Sequence, residues 1–221
     1  MSFQPDNLPH LQIGNIYCIG RNYVDHALEL NNPIPDRPII FLKPTSSLLS
    51  DGGTVVIPSG SSEVHHEAEL VIAIGKSGRN ISADHALNHI AGVAVGIDVT
   101  DRYMQSQLKK DGLPWLLAKG LDTFAPIGPF YTDMGDIDFT NIDVTLAING
   151  NERQNGNTKL MLFPVSDLIV RLSTYFTLQK GDLIFTGTPA GVGPMKPGDQ
   201  ATASIRTGPH VWSQVTVSIK D

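Results

Sequence analysis

The sequence predicts a β-rich, mixed α/β fold with few short helices, on three observations. Two apolar, β-branched runs, Ala68-Glu69-Leu70-Val71-Ile72-Ala73-Ile74 and Gly92-Val93-Ala94-Val95-Gly96-Ile97, carry the mark of strands buried on both faces. Residues 143–148 nearly alternate apolar and polar side chains and run into Asn149-Gly150, a tight-hairpin signal. Only residues 163–178 carry a clear helical stripe. There Val165, Leu168, Ile169, Leu172 and Phe176 share one face, Pro164 suits the first turn and Gly181 follows the end.

The remaining elements follow in chain order. Residues 16–19 are a strand that packs the lone Cys18, which can form no internal disulfide. Residues 22–30 are a short helix that sets His26 and Glu29 three apart, within reach of each other. A proline-rich connector, residues 31–38, has neither helix nor strand period and would let that helix act as a lid. Strands follow at 39–42, 55–57 and 65–75, then at the run around 92–97. A second helix begins after Thr100 or Asp101 and runs to Lys110, before Gly112 and Pro114, which puts Arg102 and Gln105 on one face. Strands at 183–185 and 211–219 complete the list. Lys180-Gly181-Asp182 and Lys196-Pro197-Gly198-Asp199 are turns ahead of strands.

A length of 221 residues is expected to form one catalytic domain over 1–221, with a short N-terminal arm at 1–15, and buries a sizeable core without disulfides. With 41% hydrophobic and 17% charged residues this is an ordinary globular composition, and no apolar run approaches the roughly 18 residues of a membrane span. The N-terminal residues carry no targeting pattern, so the expected location is cytoplasmic. A net charge of −6 argues against nucleic acid as a partner. The same charge opposes an anionic substrate globally, so local cations must hold one; Arg21, Lys43, Arg102 and Lys119 are the candidates.

The chemistry starts at His65-His66-Glu67-Ala68-Glu69. On a strand of period 2, Glu67 and Glu69 point the same way, about 6–7 Å apart. At an effective dielectric of about 20 their repulsion is roughly 2–3 kcal/mol, and a divalent cation offsets it most simply; the alternative, an edge strand with two solvated acids, sits badly with the apolar residues that follow. Asp98 closes the second buried run and adds a third carboxylate. Three carboxylates with little sulfur nearby make a hard oxygen site, suited to Mg2+ or Mn2+, with Ca2+ as the alternative. His65 shares the strand face but is read as a structural histidine and stays outside the ligand set.

Several other motifs fail. Gly75-Lys76-Ser77 lacks the earlier glycine of a phosphate loop, and His66-Glu67 lacks the second histidine of a zinc-protease helix; both missing positions are Leu70. Gly187-Thr188-Pro189-Ala190-Gly191-Val192-Gly193 has the wrong spacing for a dinucleotide fold. It reads as a loop whose amides and Thr188 hydroxyl could hold a carboxylate, or as a plain tight turn. Lys119 is conspicuous in an apolar run, where a stem snorkelling to solvent is the bland account.

Four segments together, in this order and spacing, resemble the fumarylacetoacetate hydrolase family: His65-His66-Glu67-Ala68-Glu69-Leu70, Gly96-Ile97-Asp98-Val99-Thr100-Asp101-Arg102, Leu117-Ala118-Lys119-Gly120-Leu121-Asp122 and the Gly187–Gly193 loop. Gly20-Arg21-Asn22-Tyr23 with His26 and Glu29 is most similar to its single-domain acylpyruvase and oxaloacetate decarboxylase branch. The resemblance runs from about Ile16 to the strand of Val215 and implies a β-roll or sandwich. It implies that Glu67, Glu69 and Asp98 hold Mg2+ or Mn2+ and that His26, oriented by Glu29, activates water. Lys119 and Gln105 would stabilise an enolate, with Arg21, Gln105 and Thr188 binding substrate. The implied substrate is a small anionic 2-oxo or 1,3-diketo acid, cleaved to pyruvate or, for oxaloacetate, decarboxylated; a homodimer is implied as well. The rivals are isomerisation or decarboxylation of a dienoic acid from aromatic-ring catabolism, oxaloacetate keto-enol tautomerisation, and a catalytically idle dicarboxylate-binding protein. Tyr103, and Leu162-Phe163-Pro164 at the helix entry, depart from the family pattern.

Overall fold

A computed structural model describes residues 5, 7–29 and 33–221, with Asp136 described by its backbone only. Leu30 of the expected lid helix, Asn31 and Asn32 of its connector, and residues 1–4 and 6 of the N-terminal arm lie outside the described residues.

Three sheets carry the chain. The largest runs β2 (Ile39–Lys43), β1 (Ile16–Gly20), β12 (Leu183–Phe185), β6 (Ala68–Ile74), β7 (Ile90–Ile97), β9 (Ala125–Ile127), β3 (Leu48–Ser50). The second runs β11 (Asn151–Asn157), β10 (Asp143–Ile148), β14 (Gln200–Thr207), β15 (His210–Lys220), β4 (Thr54–Val56). A small third sheet joins β13 (Gly193–Met195), β5 (Val64–His66) and β8 (Thr100–Asp101). Strands β14 and β15 pack across β6 and β7, so the first two sheets form a sandwich. Its core holds Leu70, Ile72, Val93 and Val95 from one sheet and Val144, Ala203, Ile205 and Val215 from the other. The expected β-rich architecture is the observed one. Among the described residues no helix is long and apolar enough to cross a membrane.

The hairpin signal at Asn149-Gly150 is realised. Both residues take positive φ, 51° and 77°, as a two-residue turn between twisted antiparallel strands requires. The polar strand β11 that follows carries no apolar alternation and was not among the expected strands.

The second helix keeps its expected bounds, while the 163–178 helix is trimmed at both ends and the 22–30 helix at its start. The 163–178 stripe forms α4 (Val165–Tyr175); Pro164 is its N-cap and Phe176 is already extended. Phe163 is withheld from it because its backbone N–H and C=O both bond the Asn22 side chain. The expected second helix is α2 (Arg102–Lys110), capped by Asp101, which accepts from the Met104 amide at 2.9 Å. A short α3 (Leu116–Lys119) follows. The lid candidate is α1 (Val24–Glu29). Asn22, fully buried, anchors its start through bonds to Phe163 and to the Thr186 carbonyl.

The single strand expected at 65–75 is a correction. It is two strands in different sheets, β5 and β6, with Glu67 in the break. The buried Gln154 side chain takes the Ala68 amide at 3.0 Å, and the Glu67 carbonyl takes the Asp98 amide at 2.8 Å. The chain thus changes sheets where two of the acids face each other.

Candidate active site

Each acid reaches the site from a strand end. Ala68 pairs with Ile97 at the edge of the β6–β7 ladder, and Glu67 and Asp98 are the next residues beyond that pair. Glu69 is two residues further along β6, beside Gly96. All three side chains are buried, and one oxygen from each lies within 4.8 Å of the others. The period-2 argument therefore brings the carboxylates together although the strand itself is broken.

Three cations are built into this cluster. Lys119, only 2% exposed, places Nζ 2.7 Å from Glu67 Oε2 and 2.5 Å from Asp98 Oδ2. The bland account of a lysine snorkelling to solvent is thereby excluded. Arg102 donates to Glu67 Oε1 and, through Nη1, to Gln105 Oε1 at 2.7 Å, which turns the Gln105 amide nitrogen the other way. Lys43, named above as a candidate substrate cation, is corrected. It is buried, pairs with Asp98 Oδ1 at 2.8 Å and donates to the carbonyls of Val99, Phe124 and Lys119, so its charge serves the cluster.

The electrostatics separate the acids. Burial pushes Glu67 up, but Lys119 and Arg102 outweigh it and hold its carboxyl well below the usual range. Burial, then the negative charges of Asp98 and Glu67, push Glu69 well above it. Its donor is the Gly187 amide at 2.7 Å, aimed by a φ of +99° that glycine tolerates. Among the described residues, Glu69 is thus the acid of the three without a cationic side-chain partner. A buried, all-oxygen donor set with one acid short of positive charge fits a hard divalent cation.

His26 is buried, and burial lowers its pKa, so the ring is neutral near pH 7. Its Nδ1 stands 3.8 Å from Glu29 Oε2, too far for a hydrogen bond, and is buried without one among the described residues. Glu29 instead accepts from the Gly191 amide at 3.2 Å on both oxygens. The expected orienting bond from His26 to Glu29 is therefore absent, because the glycine-rich loop has taken the carboxylate.

That loop's amides do hold carboxylates, but the protein's own: Gly187 holds Glu69 and Gly191 holds Glu29. The Thr188 hydroxyl also departs from expectation. It donates to the Ala68 carbonyl at 2.8 Å while accepting from Gln154 Nε2 at 2.8 Å, so its one proton is already committed. His65 bonds Glu63 at 2.8 Å, a structural role as expected.

One cavity, about 20 Å³, collects His26, Glu67, Glu69, Asp98, Lys119, Arg21, Gln105 and Thr188. Glu29 does not line it. The space admits about one water-sized guest, so a larger ligand must displace part of its wall. Arg21 enters with φ +58°, a strained left-handed conformation for a long side chain. Sequence reasoning missed two contributors. Lys109 lines the cavity, its ammonium 5.2 Å from the centre of the Trp115 ring. Its signal was present, since Arg102, Gln105 and Lys109 follow the i, i+3, i+7 pattern of one helix face. Gln154, wholly buried, ties His66, Ala68, Thr188 and Pro189 together and left no local signal.

Comparison with known proteins gives consistent matches. A family profile described as fumarylacetoacetate hydrolase, C-terminal, matches residues 15–216. A protein of Arabidopsis thaliana named oxaloacetate tautomerase, mitochondrial, is 47% identical over 190 residues, 86% of this chain and 85% of its own. One of Dictyostelium discoideum, named oxaloacetate decarboxylase, mitochondrial, is 48% identical over 86% of this chain and 88% of its own. Among solved structures, fumarylpyruvate hydrolase from Pseudomonas aeruginosa, in complex with Mn2+ and pyruvate, superposes with a TM-score of 0.88. It is 33% identical and the match covers 95% of this chain and 91% of that one.

Proposed function

The chain belongs to the fumarylacetoacetate hydrolase family and is an enzyme of that family; from this premise we propose that it enolises small 2-oxo acids at a divalent metal held by Glu67, Glu69 and Asp98. The observation that carries the reading is the buried triad within 4.8 Å, with Lys119 bonded into it and His26 lining the same cavity. Mg2+ or Mn2+ is the proposed ion, and when bound it polarises the substrate's carboxylate and 2-oxo group.

The protein's own groups supply the rest. Lys119, buried, cationic and bonded to Glu67 and Asp98, would stabilise the negative charge that develops on the 2-oxo oxygen as the enolate forms. Neutral His26 offers a lone pair to accept a proton. The Gln105 amide, oriented by Arg102, is a neutral donor to substrate. In acylpyruvate cleavage His26 would take a proton from water as it attacks the distal carbonyl. The carbon–carbon bond then breaks, leaving a carboxylate and the pyruvate enolate, which collects a proton at carbon.

Oxaloacetate is the favoured substrate over acylpyruvates, on one specific observation: His26 donates no hydrogen bond to Glu29 that would strengthen it as a base toward water, whereas decarboxylation needs no base and tautomerisation removes a carbon-bound proton more acidic than that of water. Tautomerisation and decarboxylation both pass through the same enolate, and the similarity to proteins named for those two activities supports this order. One catalytic domain over 1–221 and a homodimer belong to the proposal. Exposed Leu42, Leu113 and Leu116 around a cavity of about 910 Å³ beside edge strand β2 support pairing of two copies. We also assign the cytoplasm, while the Arabidopsis and Dictyostelium relatives are named mitochondrial.

The test is loss of the oxaloacetate enol signal, and pyruvate release from oxaloacetate and acetylpyruvate, each with and without Mg2+ or Mn2+. Metal-dependent turnover of oxaloacetate is expected, exceeding that of acetylpyruvate. Turnover of neither substrate with either metal overturns the proposal.

A further inference from the structure

Four cations and three carboxylates line the cavity, in a chain whose net charge is −6. Two of the cations are committed: Lys119 to Glu67 and Asp98, Arg102 to Glu67. Lys109 and Arg21 have no carboxylate within ion-pair distance among the described residues. Burial, followed by the repulsion of Arg21, Arg102 and Lys119, lowers the Lys109 pKa to about 8. At neutral pH it is still mainly charged, and an anion placed between it and Arg21 would relieve that crowding.

The helix geometry says which end of a ligand this anion belongs to. Arg102 starts α2 against Glu67, and Lys109 lies seven residues further, about 10 Å along the helix axis. Side chains on a helix lean toward its N-terminus, so Lys109 reaches back toward the cavity, and its approach to the Trp115 ring keeps the ammonium at the cavity wall. A ligand whose 2-oxo and adjacent carboxylate oxygens face the acid cluster would bring its far end to Lys109.

We propose that Lys109, together with Arg21, forms a subsite for the distal carboxylate of a 2-oxo dicarboxylate, and that Lys109 sets the preference for dicarboxylic over monocarboxylic substrates. This deepens the functional reading above and rests on it. One consequence concerns the partition between reactions. Decarboxylation discharges the distal carboxylate as CO2, so an ion pair to it stabilises the starting state and is lost on the way to product. Tautomerisation keeps the carboxylate and loses nothing, so the subsite favours that outcome.

The experiment compares the wild type, Lys109→Met and Lys109→Arg on oxaloacetate and acetylpyruvate at saturating Mg2+. In Lys109→Met the ratio of kcat/KM for the dicarboxylate over the monocarboxylate should fall about 10- to 100-fold, mostly through KM, and Lys109→Arg should restore most of it. Equal losses on both substrates, or an unchanged ratio, overturn the subsite. Calorimetric binding of 2-oxoglutarate and 2-oxobutyrate to the Mn2+-loaded protein provides a second readout without turnover. The wild type should prefer the dicarboxylate and Lys109→Met should lose that preference. Should the wild type turn over neither substrate, the functional reading falls, and this binding preference, present or absent, still decides the subsite.

Discussion

Replacing Lys43 by methionine keeps the stem and removes the ammonium, and the structure sets the size of the effect. Nζ is 2.8 Å from Asp98 Oδ1, 3.2 Å from the Val99 carbonyl and 2.8 Å from the Phe124 carbonyl, and it also donates to the Lys119 carbonyl. Lysine and aspartate are both buried, so no water replaces the lost donor. Breaking one partner of a buried pair costs about 3–5 kcal/mol, and the under-satisfied carbonyls share that loss rather than adding in full. For a domain of this size each kcal/mol lowers Tm by about 2–4 °C, which predicts a fall of roughly 6–20 °C. The assay is thermal unfolding in metal-free buffer, checked by urea titration with an unchanged m-value. A drop of less than about 2 °C refutes the reasoning. A variant of wild-type stability with a raised KM would return Lys43 to the substrate-binding role that composition alone suggested.

Other predictions concern the remaining acids and bases. Glu67→Ala, Glu69→Ala and Asp98→Ala should each abolish metal-dependent turnover; near-normal activity at limiting Mg2+ removes that residue from the ligand set. Lys119→Met should lower oxaloacetate and acylpyruvate turnover together by about 10²–10³-fold, the scale of one transition-state donor, and a change in KM alone would make it a binding residue. Glu29→Gln keeps an oxygen for the Gly191 amide and breaks no hydrogen bond to His26, so it should slow oxaloacetate turnover and acylpyruvate cleavage alike by less than about threefold; a loss confined to acylpyruvate cleavage and approaching the 10²–10⁴-fold of general-base loss would contradict the geometry. Burial lowers the pKa of His26, His65 and His66, so the unfolded chain binds protons below about pH 6.5 that the folded chain does not. Stability should therefore fall as pH drops from 7.5 to 5.5. The carboxyl of Glu69 is pushed up and acts in the opposite sense, so the comparison is best made in Glu69→Gln, where a Tm that rises on acidification would refute the assignment.

Local signals in the sequence determined most of the sheet core and the raw material of the site. Residues 68–74 and 92–97 read as buried strands because burial on both faces demands unbroken apolar side chains, and Asn149-Gly150 read as a hairpin because its positive φ values are a property of those two residues. Glu67, Glu69 and Asp98 were legible as a candidate set because acids at the ends of such apolar strands repel one another, and the competing account, solvated acids on an edge strand, is removed by their burial. Tertiary structure decided what lies across the chain. Gln154 is 86 residues from the Ala68 amide it takes, and Lys43 is 56 and 81 residues from the Val99 and Phe124 carbonyls it holds. No periodicity encodes such partners. His26 and Glu29 had the right spacing, yet the Gly191 amide, 162 residues away, won the carboxylate. The Thr188 hydroxyl likewise donates to the Ala68 carbonyl, 120 residues away. A hydrogen-bonding group has few valences, and which of the groups within reach fills them is fixed only when the sheets close.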